Sequence, residues 1–501
     1  MKTLRLHPDD NVAVVLSNMK AGEAVEDGIL ASANIGAGHK VAVSRVAAGE
    51  CVRKYGQIIG FATRDIEAGE HVHSSNLGMG DHQQDHEIGV DAHAADPISP
   101  PATFNGYYRP DGRVGTRNYL GILTSVNCSG SVARFVAEAV ERDGWLSEFE
   151  NIDGVVPIVH GTGCGMSTNG EGYDILFRTL AGYAKNPNFG AILMIGLGCE
   201  VMQIPALVGD QAMRASNRFR YMTIQESGGT RKTIDKAVDI LKELAGEANQ
   251  CKRTPAPASA ISIGMQCGGS DGYSGITANP AMGIASDLLV QHGGTTILSE
   301  TSEIFGAEHL LTRRAVSNEV GEALQERVSW WQEYAAKHGA ELDNNPSPGN
   351  KRGGLTTILE KSLGAVAKAG SAPLSGVFKY AEQIDVSGLT FMDSPGYDPC
   401  SVTGQIASGA NIIIFSTGRG SVSGYKPSPC IKLASNSAMY DRMSEDMDVN
   451  CGDVLDGVSL EDKGEEIFKL VLAAASGERT KSEELGFGGA EFVPWQIGAV
   501  L

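Results

Sequence analysis

The first 77 residues contain short apolar runs that are separated by polar, glycine-containing turns. NVAVVL, HKVAVSRV and QIIGFATRDI are strand-length and rich in β-branched residues, a pattern that predicts β-strands. Two phrases, RVAAGECV and DIEAGEHV, resemble one another, since each places a strand start after an AGE turn. This weak repeat predicts a compact clip of hairpins over residues 1–77.

Residues 78–104 form a polar segment that is first rich in histidine and aspartate and then in proline. Few apolar positions recur at a helical or strand period, which indicates a linker. His82, His86 and His93 are metal-ligand types, but solvated histidines are favoured here. A disordered segment must lose conformational entropy to hold a site geometry.

From Gly106 onward, apolar strand-length runs alternate with amphipathic helical patterns. YLGILTSV precedes SVARFVAEAVERDG, GVVPIVH precedes GYDILFRTLAGYAK, and AILMIGLG begins the next unit. TIDKAVDILKELAGEAN predicts a helix before a proline-rich break at TPAPAS, and a second run starts at ISIGMQCGG. We therefore predict an α/β protein with mainly parallel sheets. After the N-terminal clip, its two α/β domains cover residues 105–253 and 258–501, and NNPSPGNKRGG (344–354) is a loop.

Charge and composition exclude several classes of protein. The formal net charge is −19, and such an acidic surface repels nucleic-acid phosphates. The N-terminus lacks the apolar core of a signal peptide, and no apolar run reaches membrane-spanning length. We therefore expect a cytoplasmic protein with no nucleic-acid or membrane partner. The nine cysteines are an odd number without an export signal, so free or metal-bound thiols are favoured over disulfides.

Four cysteines occupy the same local setting, a glycine-rich or polar turn after an apolar strand. They are Cys128 in TSVNCSG, Cys164 in VHGTGCG, Cys199 in MIGLGCE and Cys267 in GMQCGGSDG. Strand ends of parallel sheets form ligand crevices, so the four could converge on one place. Thiolates bind iron or zinc and hold iron–sulfur clusters. The alternative is that some of these small thiols fill buried turns.

Two histidines stand in similar glycine-containing phrases. His160 ends the strand GVVPIV and precedes Cys164 by four residues, a position that suits a metal ligand or a proton-transfer group. The alternative is a turn histidine that bonds the backbone. His39 lies in GAGHK and, taken alone, is typical of a surface histidine.

Polar turns supply candidate substrate contacts. Ser270 and Asp271 lie in QCGGSDG, where exposed amides, a hydroxyl and a carboxylate can hold a sugar hydroxyl or an oxyanion. Arg419 lies between glycines in STGRGS and can clamp a carboxylate. Asn350 and Lys351 lie on the proline-restricted loop. Neither a phosphate loop nor a dinucleotide fingerprint is present.

These phrases together resemble the altronate/galactarate dehydratase family. DNVAV, GHK, KYGQIIG and AGEHVH are similar to its N-terminal β-clip, or SAF, domain. GRVGTRN, HGTGCG, IGLGCE, QCGGSDGYSGITANP, FGAEHLL, NPSPGNKRGGLTTILEKSLG and STGRG are similar to its catalytic part. The resemblance covers nearly the whole chain.

The resemblance implies removal of water from a six-carbon aldonic or aldaric acid to give a 2-keto-3-deoxy acid. D-altronate is the favoured substrate, with galactarate as the alternative. Fe²⁺, or Mn²⁺, is the implied cofactor, held by Cys128, Cys164, Cys199 and Cys267 as a single ion or as an iron–sulfur cluster. His160 or His39, swung in from the β-clip, is expected to move the proton, and Lys351 is a further catalytic candidate. We expect a homo-oligomer, a dimer, that binds a small sugar acid.

Other classes remain open at this stage. A sulfolactate sulfo-lyase-type eliminase is a related possibility, and a non-catalytic sugar-acid binding protein on a β-clip would show binding without turnover. A metal-dependent hydrolase has no independent support, because the zinc-binding motif HExxH is absent.

Overall fold

The N-terminal region folds as hairpins, as its strand pattern predicts. The computed structural model describes residues 2–26, 28–80, 86–209 and 218–500. The strands of this region are β1 (Thr3–Leu4), β2 (Val12–Val15), β3 (Ala24–Glu26), β4 (Ile29–Leu30), β5 (Lys40–Ala42), β6 (Cys51–Lys54), β7 (Gln57–Ala62), β8 (His71–Val72) and β9 (Leu77–Gly78). They pair antiparallel in the orders β1-β2-β5-β8, β6-β7-β9 and β3-β4.

The AGE phrase is a repeated turn with a clear physical basis. Within the hairpin region it occurs three times, at residues 20–23, 47–50 and 67–70, which is one copy more than RVAAGECV and DIEAGEHV provide. In each copy the glycine has a positive φ, between 83° and 86°. The glutamate carboxylate then accepts a hydrogen bond from the backbone N–H three residues earlier, at 2.8–3.0 Å. The turns therefore need both residue types.

The linker segment joins the hairpins to the rest of the chain. His82 lies outside the described residues, and residues 86–102 carry no helix or strand. Glu87 and Asp91 bind Arg313, which holds this segment against the C-terminal part. His93 is exposed, whereas His86 Nε2 lies 3.9 Å from a carboxylate oxygen of Glu308.

The middle part of the chain carries a parallel sheet. The strands of this part are β10 (Thr103–Tyr108), β11 (Val114–Gly115), β12 (Tyr119–Thr124), β13 (Gly154–Ile158), β14 (Phe189–Gly196) and β15 (Phe219–Thr223). β10 and β11 pair antiparallel, outside the parallel sheet. Its helices are α1 (Gly130–Asp143), α2 (Glu171–Lys185), α3 (Ile204–Gly209), α4 (Ile224–Ser227) and α5 (Thr230–Ala248), with 3-10 turns Asn127–Ser129 and Trp145–Glu148. β12 to β15 are all parallel, in the order β13-β12-β14-β15.

Amphipathic helices cover both faces of this sheet. On α1, Val132, Val136 and Val140 recur at helical spacing and are buried against the sheet together with α5. The opposite face packs into a second cluster that α2 shares with the C-terminal part. The strand–helix alternation of the sequence thus folds as predicted in this region.

The C-terminal part of the chain carries the larger sheet. The strands of this part are β16 (Arg253–Pro257), β17 (Ser262–Cys267), β18 (Thr295–Leu298), β19 (Leu374–Phe378), β20 (Gly388–Met392), β21 (Ile412–Thr417), β22 (Cys430–Ala434) and β23 (Val449–Asn450). Its helices are α6 (Ala278–Gln291), α7 (His309–Thr312), α8 (Asn318–Lys337), α9 (Pro348–Arg352), α10 (Ile358–Val366), α11 (Asp398–Ala407), α12 (Ser437–Arg442), α13 (Leu460–Ala475) and α14 (Lys481–Glu484). Its 3-10 turns are Ala258–Ala260, Thr301–Glu303, Leu342–Asn344, Ala367–Ala369 and Gly452–Asp456. The seven strands β17 to β23 are parallel, in the order β19-β20-β18-β17-β21-β22-β23.

Two local predictions differ from the structure. The predicted proline-rich break at 254–259 contains most of strand β16, which pairs antiparallel with β10. The predicted loop at 344–354 contains helix α9, because Ser347 and Asn350 form a capping box and Pro348 occupies the first turn. Composition alone did not distinguish these short elements from loops.

Two further predictions concern the state of the cysteines and the presence of membrane-spanning helices. All nine cysteines are free, in agreement with the prediction of free or metal-bound thiols over disulfides. Among the described residues, no helix is long and apolar enough to cross a membrane.

Candidate active site

A cavity of about 520 Å³ lies where the N-terminal hairpins meet the carboxyl edge of the seven-stranded sheet. Leu16 and Ala37 line it from the hairpins, while Asp271 and Arg419 line it from the turns after β17 and β21. Carboxyl ends of parallel strands are where open α/β sheets bind ligands. The structure therefore brings together two residues that the sequence assigned to substrate binding.

Three arginines line this cavity: Arg352, Arg419 and Arg442. All three are exposed, and no hydrogen bond or ion pair that the structure shows among its described residues involves their guanidinium groups. Uncommitted guanidinium groups bind carboxylates through paired, charge-assisted hydrogen bonds. The cavity is thus suited to an organic acid despite the acidic net charge of the chain.

Asp271 organises the turn that forms one wall of the cavity. Its carboxylate accepts hydrogen bonds from the hydroxyls of Ser274 (2.9 Å) and Ser435 (2.8 Å) and from the Asn436 amide (3.0 Å). Backbone N–H groups of Tyr273 and Ser274 donate to it as well. Burial raises the pKa of Asp271, and these hydrogen bonds oppose that shift.

The other predicted residues of this region lie behind the wall. Asn350 donates from its amide to the Ser270 carbonyl (2.8 Å) and caps α9 with its side-chain oxygen, so it joins two turns. The Ser270 hydroxyl is buried and has no hydrogen-bond partner among the described residues. Lys351 is partly buried, next to the cavity-lining Arg352.

Three histidines meet beside the same loop, of which only His39 was predicted. His39 Nδ1 lies 3.0 Å from His71 Nε2, and the three ring centres of His39, His71 and His73 are 5.0–5.4 Å apart. His39 Nε2 lies 3.3 Å from the Arg352 carbonyl, and His73 Nε2 lies 2.9 Å from the Lys351 carbonyl. Burial lowers the pKa of each ring, and that of His71 falls to about 4. The HVH phrase was the available signal, because alternate residues of a strand share one face.

Glycines permit the hairpins to approach this closely. A Cβ on Gly272 would lie 1.9 Å from the Gly38 carbonyl oxygen, and one on Gly354 would lie 2.2 Å from the same atom. Gly38 and Gly354 also have positive φ values of 80° and 102°. Backbone therefore packs on backbone between the GAGHK phrase and the turns that contain Gly272 and Gly354.

A buried ion triad joins the same two regions. Glu360 on α10 lies 2.8 Å from Lys40 Nζ and 3.0 Å from Lys54 Nζ, and all three side chains are at most 1% exposed. Burial opposes ionisation of Glu360, but the two ammonium groups lower its pKa to about 2. Burial lowers the pKa of Lys40 to about 8.

The four predicted metal-binding cysteines are divided between two sheets. Cys128, Cys164 and Cys199 are exposed and follow the neighbouring strands β12, β13 and β14, respectively. Hydrogen bonds tie their turns together: Asn127 to Thr162, Met202 to Gly163, and Ser125 to Glu200. Cys267 is buried at the end of β17, on the other sheet.

Cys267 has a separate set of charged neighbours. Its thiol and the carboxylates of Glu300 and Glu303 are the sole group among the described residues with three ligand atoms mutually within 4.8 Å. Lys368 Nζ lies 3.0 Å from the Cys267 sulfur, and Lys361 lies 2.6 Å from Glu303. Burial raises the pKa values of Cys267 and Glu300. The thiol and the two carboxylates are of metal-ligand types, but the ammonium groups of two lysines already contact them and balance their negative charge.

His160 lies behind the cysteine-bearing turns. Its Nε2 lies 3.0 Å from the Thr124 carbonyl, and its Nδ1 accepts from the Thr162 N–H at 3.3 Å. Burial lowers its pKa to about 4, so the ring is neutral at neutral pH. These contacts are those of a histidine that holds two turns together.

The fold and site define a class: a mixed α/β protein with a β-clip at its N-terminus and an arginine-lined cavity against a large parallel sheet. Three family models match the chain in order. They describe the altronate/galactarate dehydratase SAF domain (residues 1–80), the D-galactarate dehydratase/altronate hydrolase second domain (106–249) and the D-galactarate/altronate dehydratase C-terminal domain (258–500).

Curated relatives match over nearly their whole lengths. Galactarate dehydratase (L-threo-forming) of Escherichia coli K12 is 37% identical, covering 96% of this chain and 94% of the relative. The altronate dehydratases of Bacillus subtilis 168 and E. coli K12 are each 34% identical, covering 97% of this chain and 97% and 98% of the relatives. The chain belongs to the altronate/galactarate dehydratase family, and it is an enzyme of the hydro-lyase class.

Proposed function

We propose that this enzyme removes water from a six-carbon sugar acid, D-altronate in the first instance, to give a 2-keto-3-deoxy acid. The observation that carries the proposal is the cavity with three uncommitted arginines at the β-clip junction. Its volume lies within the about 300–1,000 Å³ of small-molecule sites. The family relationship supplies the reaction type.

The cavity suits the difficult part of this reaction. Removing a proton beside a carboxylate builds negative charge toward an enediolate, and a fixed guanidinium stabilises that charge. Arg419 is assigned this clamp because it lines the cavity on the turn after β21. This turn lies next to the turn after β17 that carries Asp271. Asn436 also lines the cavity, and its amide donates to Asp271 and to the Gly418 carbonyl.

Proton transfer is assigned to Lys351, which precedes the cavity-lining Arg352. His160 is given a positioning role, since both of its ring nitrogens contact the backbone. Lys351→Met is expected to lower kcat strongly, because it removes the proposed proton-transfer group. Lys337→Met, on an exposed helix end, is the matched control. A native kcat in Lys351→Met would remove this lysine from the chemistry.

Iron, which the family resemblance implies, is assigned to Cys128, Cys164 and Cys199. Their three thiols are accessible and lie at adjacent strand ends, and thiolates are the ligand type that binds iron in iron–sulfur sites. A single ion at about 2.3 Å from each sulfur would bring the sulfurs within about 4 Å of one another. The three sulfurs are not all within 4.8 Å of one another, so a single ion would need the cysteine-bearing turns to move closer together. Bound iron would supply Lewis acidity for the departing hydroxyl.

Iron content tests this assignment independently of turnover. Cys164→Ser, purified without oxygen, is expected to lose iron and visible absorption, whereas Cys51→Ser in the β-clip retains both. Native iron content in Cys164→Ser would exclude Cys164 as a ligand.

Galactarate is the second candidate substrate, and the number of arginines favours it. A diacid has a second carboxylate for Arg352 or Arg442, which altronate lacks. The experiment is a substrate panel of altronate, galactarate, glucarate and mannonate under reducing conditions with Fe²⁺. If Arg442→Ala raises KM for galactarate alone, the second carboxylate binds there. Absence of any 2-keto-3-deoxy product from the whole panel would refute the proposed reaction.

A further inference from the structure

The three histidines at the β-clip junction have a geometry that the dehydration chemistry above does not use. His39 Nδ1 and His71 Nε2 are 3.0 Å apart, a separation at which one nitrogen must donate to the other unless a cation lies between them. An ion about 2.1 Å from each of two imidazole nitrogens places them about 3.0–3.4 Å apart at coordination angles of about 90–110°. The nitrogen pair therefore already has the separation of two adjacent metal ligands.

The hydrogen bonds on the far side of the rings support the same interpretation. A carbonyl oxygen only accepts, so the contacts to Arg352 and Lys351 assign the protons of His39 and His73 to Nε2. The lone pairs then lie on Nδ1 in both rings. Metal-binding histidines usually donate their second N–H to a carbonyl or carboxylate, which fixes the tautomer and ring orientation.

The backbone that carries the histidines is held in place. β5 and β8 pair antiparallel with Val41 opposite His71, and the same register places His39 opposite His73. The buried Asn76 amide donates to the His71 carbonyl (2.9 Å), and its oxygen accepts from the His73 N–H (2.9 Å). The ligand set therefore does not depend on a flexible segment.

We propose that His39, His71 and His73 form a binding site for a divalent first-row metal ion at the junction of the β-clip and the C-terminal part. Three imidazoles suit Zn²⁺ or Fe²⁺ better than Mg²⁺ or Ca²⁺. His39 and His71 supply the two converging nitrogens. His73 completes the set by turning its Nδ1 away from the Ser74 hydroxyl, which lies 3.0 Å from it. Binding by His39 and His71 needs a tautomer change at His71, whose proton moves to Nδ1, and binding by His73 also needs its ring to rotate.

This site is separate from the cysteine edge, and it does not depend on the proposed substrate. It joins strands β5 and β8 to the 351–354 loop, which carries Arg352 of the cavity wall. Metal binding would therefore stabilise the docked position of the β-clip. This consequence is measurable without any turnover.

Cobalt is a suitable probe, because its visible spectrum reports ligand type and number. The full-length protein, freed of metal by a chelator, is titrated with Co²⁺ and examined by X-ray absorption. We expect one equivalent with nitrogen or oxygen ligands at about 2.1 Å. His39→Gln and His71→Gln are expected to weaken that equivalent at least about 100-fold, because loss of an outer partner of a ligand already costs about 10–100-fold.

Two controls make the result decisive. His93→Gln, an exposed linker histidine, should bind Co²⁺ as the unchanged protein does. A variant with Cys128, Cys164 and Cys199 all replaced by serine should retain the nitrogen-ligated equivalent. Circular dichroism shows whether each variant is folded, and His73→Gln, with a smaller expected loss, provides a second test. Native affinity in folded His71→Gln, or loss of the nitrogen-ligated equivalent in the folded triple-serine variant, would overturn the proposal.

Failure of this site and failure of the proposed reaction are distinguishable. Metal binding is measured without substrate, so an enzyme inactive on every sugar acid could still bind Co²⁺ through the histidines. Conversely, full altronate dehydration by a folded His71→Gln that has lost the ion would show that this metal is structural.

Discussion

Glu360→Gln is expected to loosen the β-clip from the catalytic part. The substitution preserves shape but removes the negative charge between Lys40 and Lys54, whose side chains are 0% and 1% exposed. Two ammonium groups would then be buried without a counterion. Breaking a buried ion pair in this way costs about 3–5 kcal/mol.

The pKa shifts show why the cost appears only when the triad is broken. Lowering the pKa of Glu360 from 4.5 to about 2 corresponds to about 3 kcal/mol in favour of folding. That contribution is complete above the unfolded pKa and is lost as the pH falls through about 2. Lowering the pKa of Lys40 from 10.5 to about 8 costs a similar amount, about 3 kcal/mol, at all pH values below 8. The contributions of Glu360 and Lys40 are therefore similar in size and opposite in sign. For the third member, Lys54, burial lowers the pKa, but Tyr55 and Glu360 outweigh burial and raise it. Removal of one member leaves a buried charge unpaired, which is expensive.

Hydrogen exchange of the β5 to β7 amides measures the docking equilibrium, and proteolysis in residues 86–102 gives a second readout. At 1.4 kcal/mol for each factor of ten, we expect opening to increase about 10²–10³-fold in Glu360→Gln. Glu465→Gln removes an exposed ion pair with Lys469 and should change neither readout. The triple variant that combines Lys40→Met, Lys54→Met and Glu360→Leu replaces the whole triad by apolar side chains and should preserve docking. Native exchange rates in Glu360→Gln would refute the reasoning.

Three further predictions address the site. Arg419→Lys should raise KM for the sugar acid about 10–100-fold through loss of a bidentate charged contact, and steady-state kinetics with an unchanged KM would contradict the clamp. His160→Gln should lower the thermal midpoint yet leave the kcat pH profile in place, because His160 contacts backbone groups; a displaced pH profile would instead show that it moves a proton. Gly354→Ala should undock the β-clip, since its Cβ would lie 2.2 Å from the Gly38 carbonyl. Gly339→Ala, also at positive φ (64°) but with nothing within 4 Å, controls for backbone strain, and equal hydrogen exchange in the two variants would contradict the steric explanation.

Local sequence patterns were sufficient for the regular elements. The helical pattern in SVARFVAEAVERDG and the apolar runs before Cys128 and Cys199 predicted α1, β12 and β14, because burial of one helix stripe or both strand faces leaves a periodic trace. The AGE turns could also be recognised in the sequence, because each turn needs glycine and glutamate at fixed positions. Short elements such as β16 and α9 depended on pairing or capping and were missed.

Contacts between distant segments could not be predicted in this way. Asp271 and Arg419 share a cavity because β17 and β21 are neighbours in the sheet, an order that the strand pattern does not specify. Cys267 follows the same strand–turn pattern as the other three cysteines but lies on a different sheet. The pairing of Lys40 with Glu360 likewise appears only when the β-clip is docked. His39 meets His71 through the pairing of β5 with β8, which are distant in sequence.

The position of the β-clip is set by two kinds of contact with different energetic roles. Apolar side chains of the clip, such as Val52 and Ile59, belong to the same continuous buried cluster as Leu363 and Ala278 of the C-terminal part, and this burial is the main favourable term. Apolar packing is non-directional, however, and would tolerate a rotated clip. The ion triad is directional, because it requires Lys40 and Lys54 to meet Glu360. Since Leu16 and Ala37 line the arginine-bearing cavity, the triad favours the docked orientation in which the candidate active site is complete.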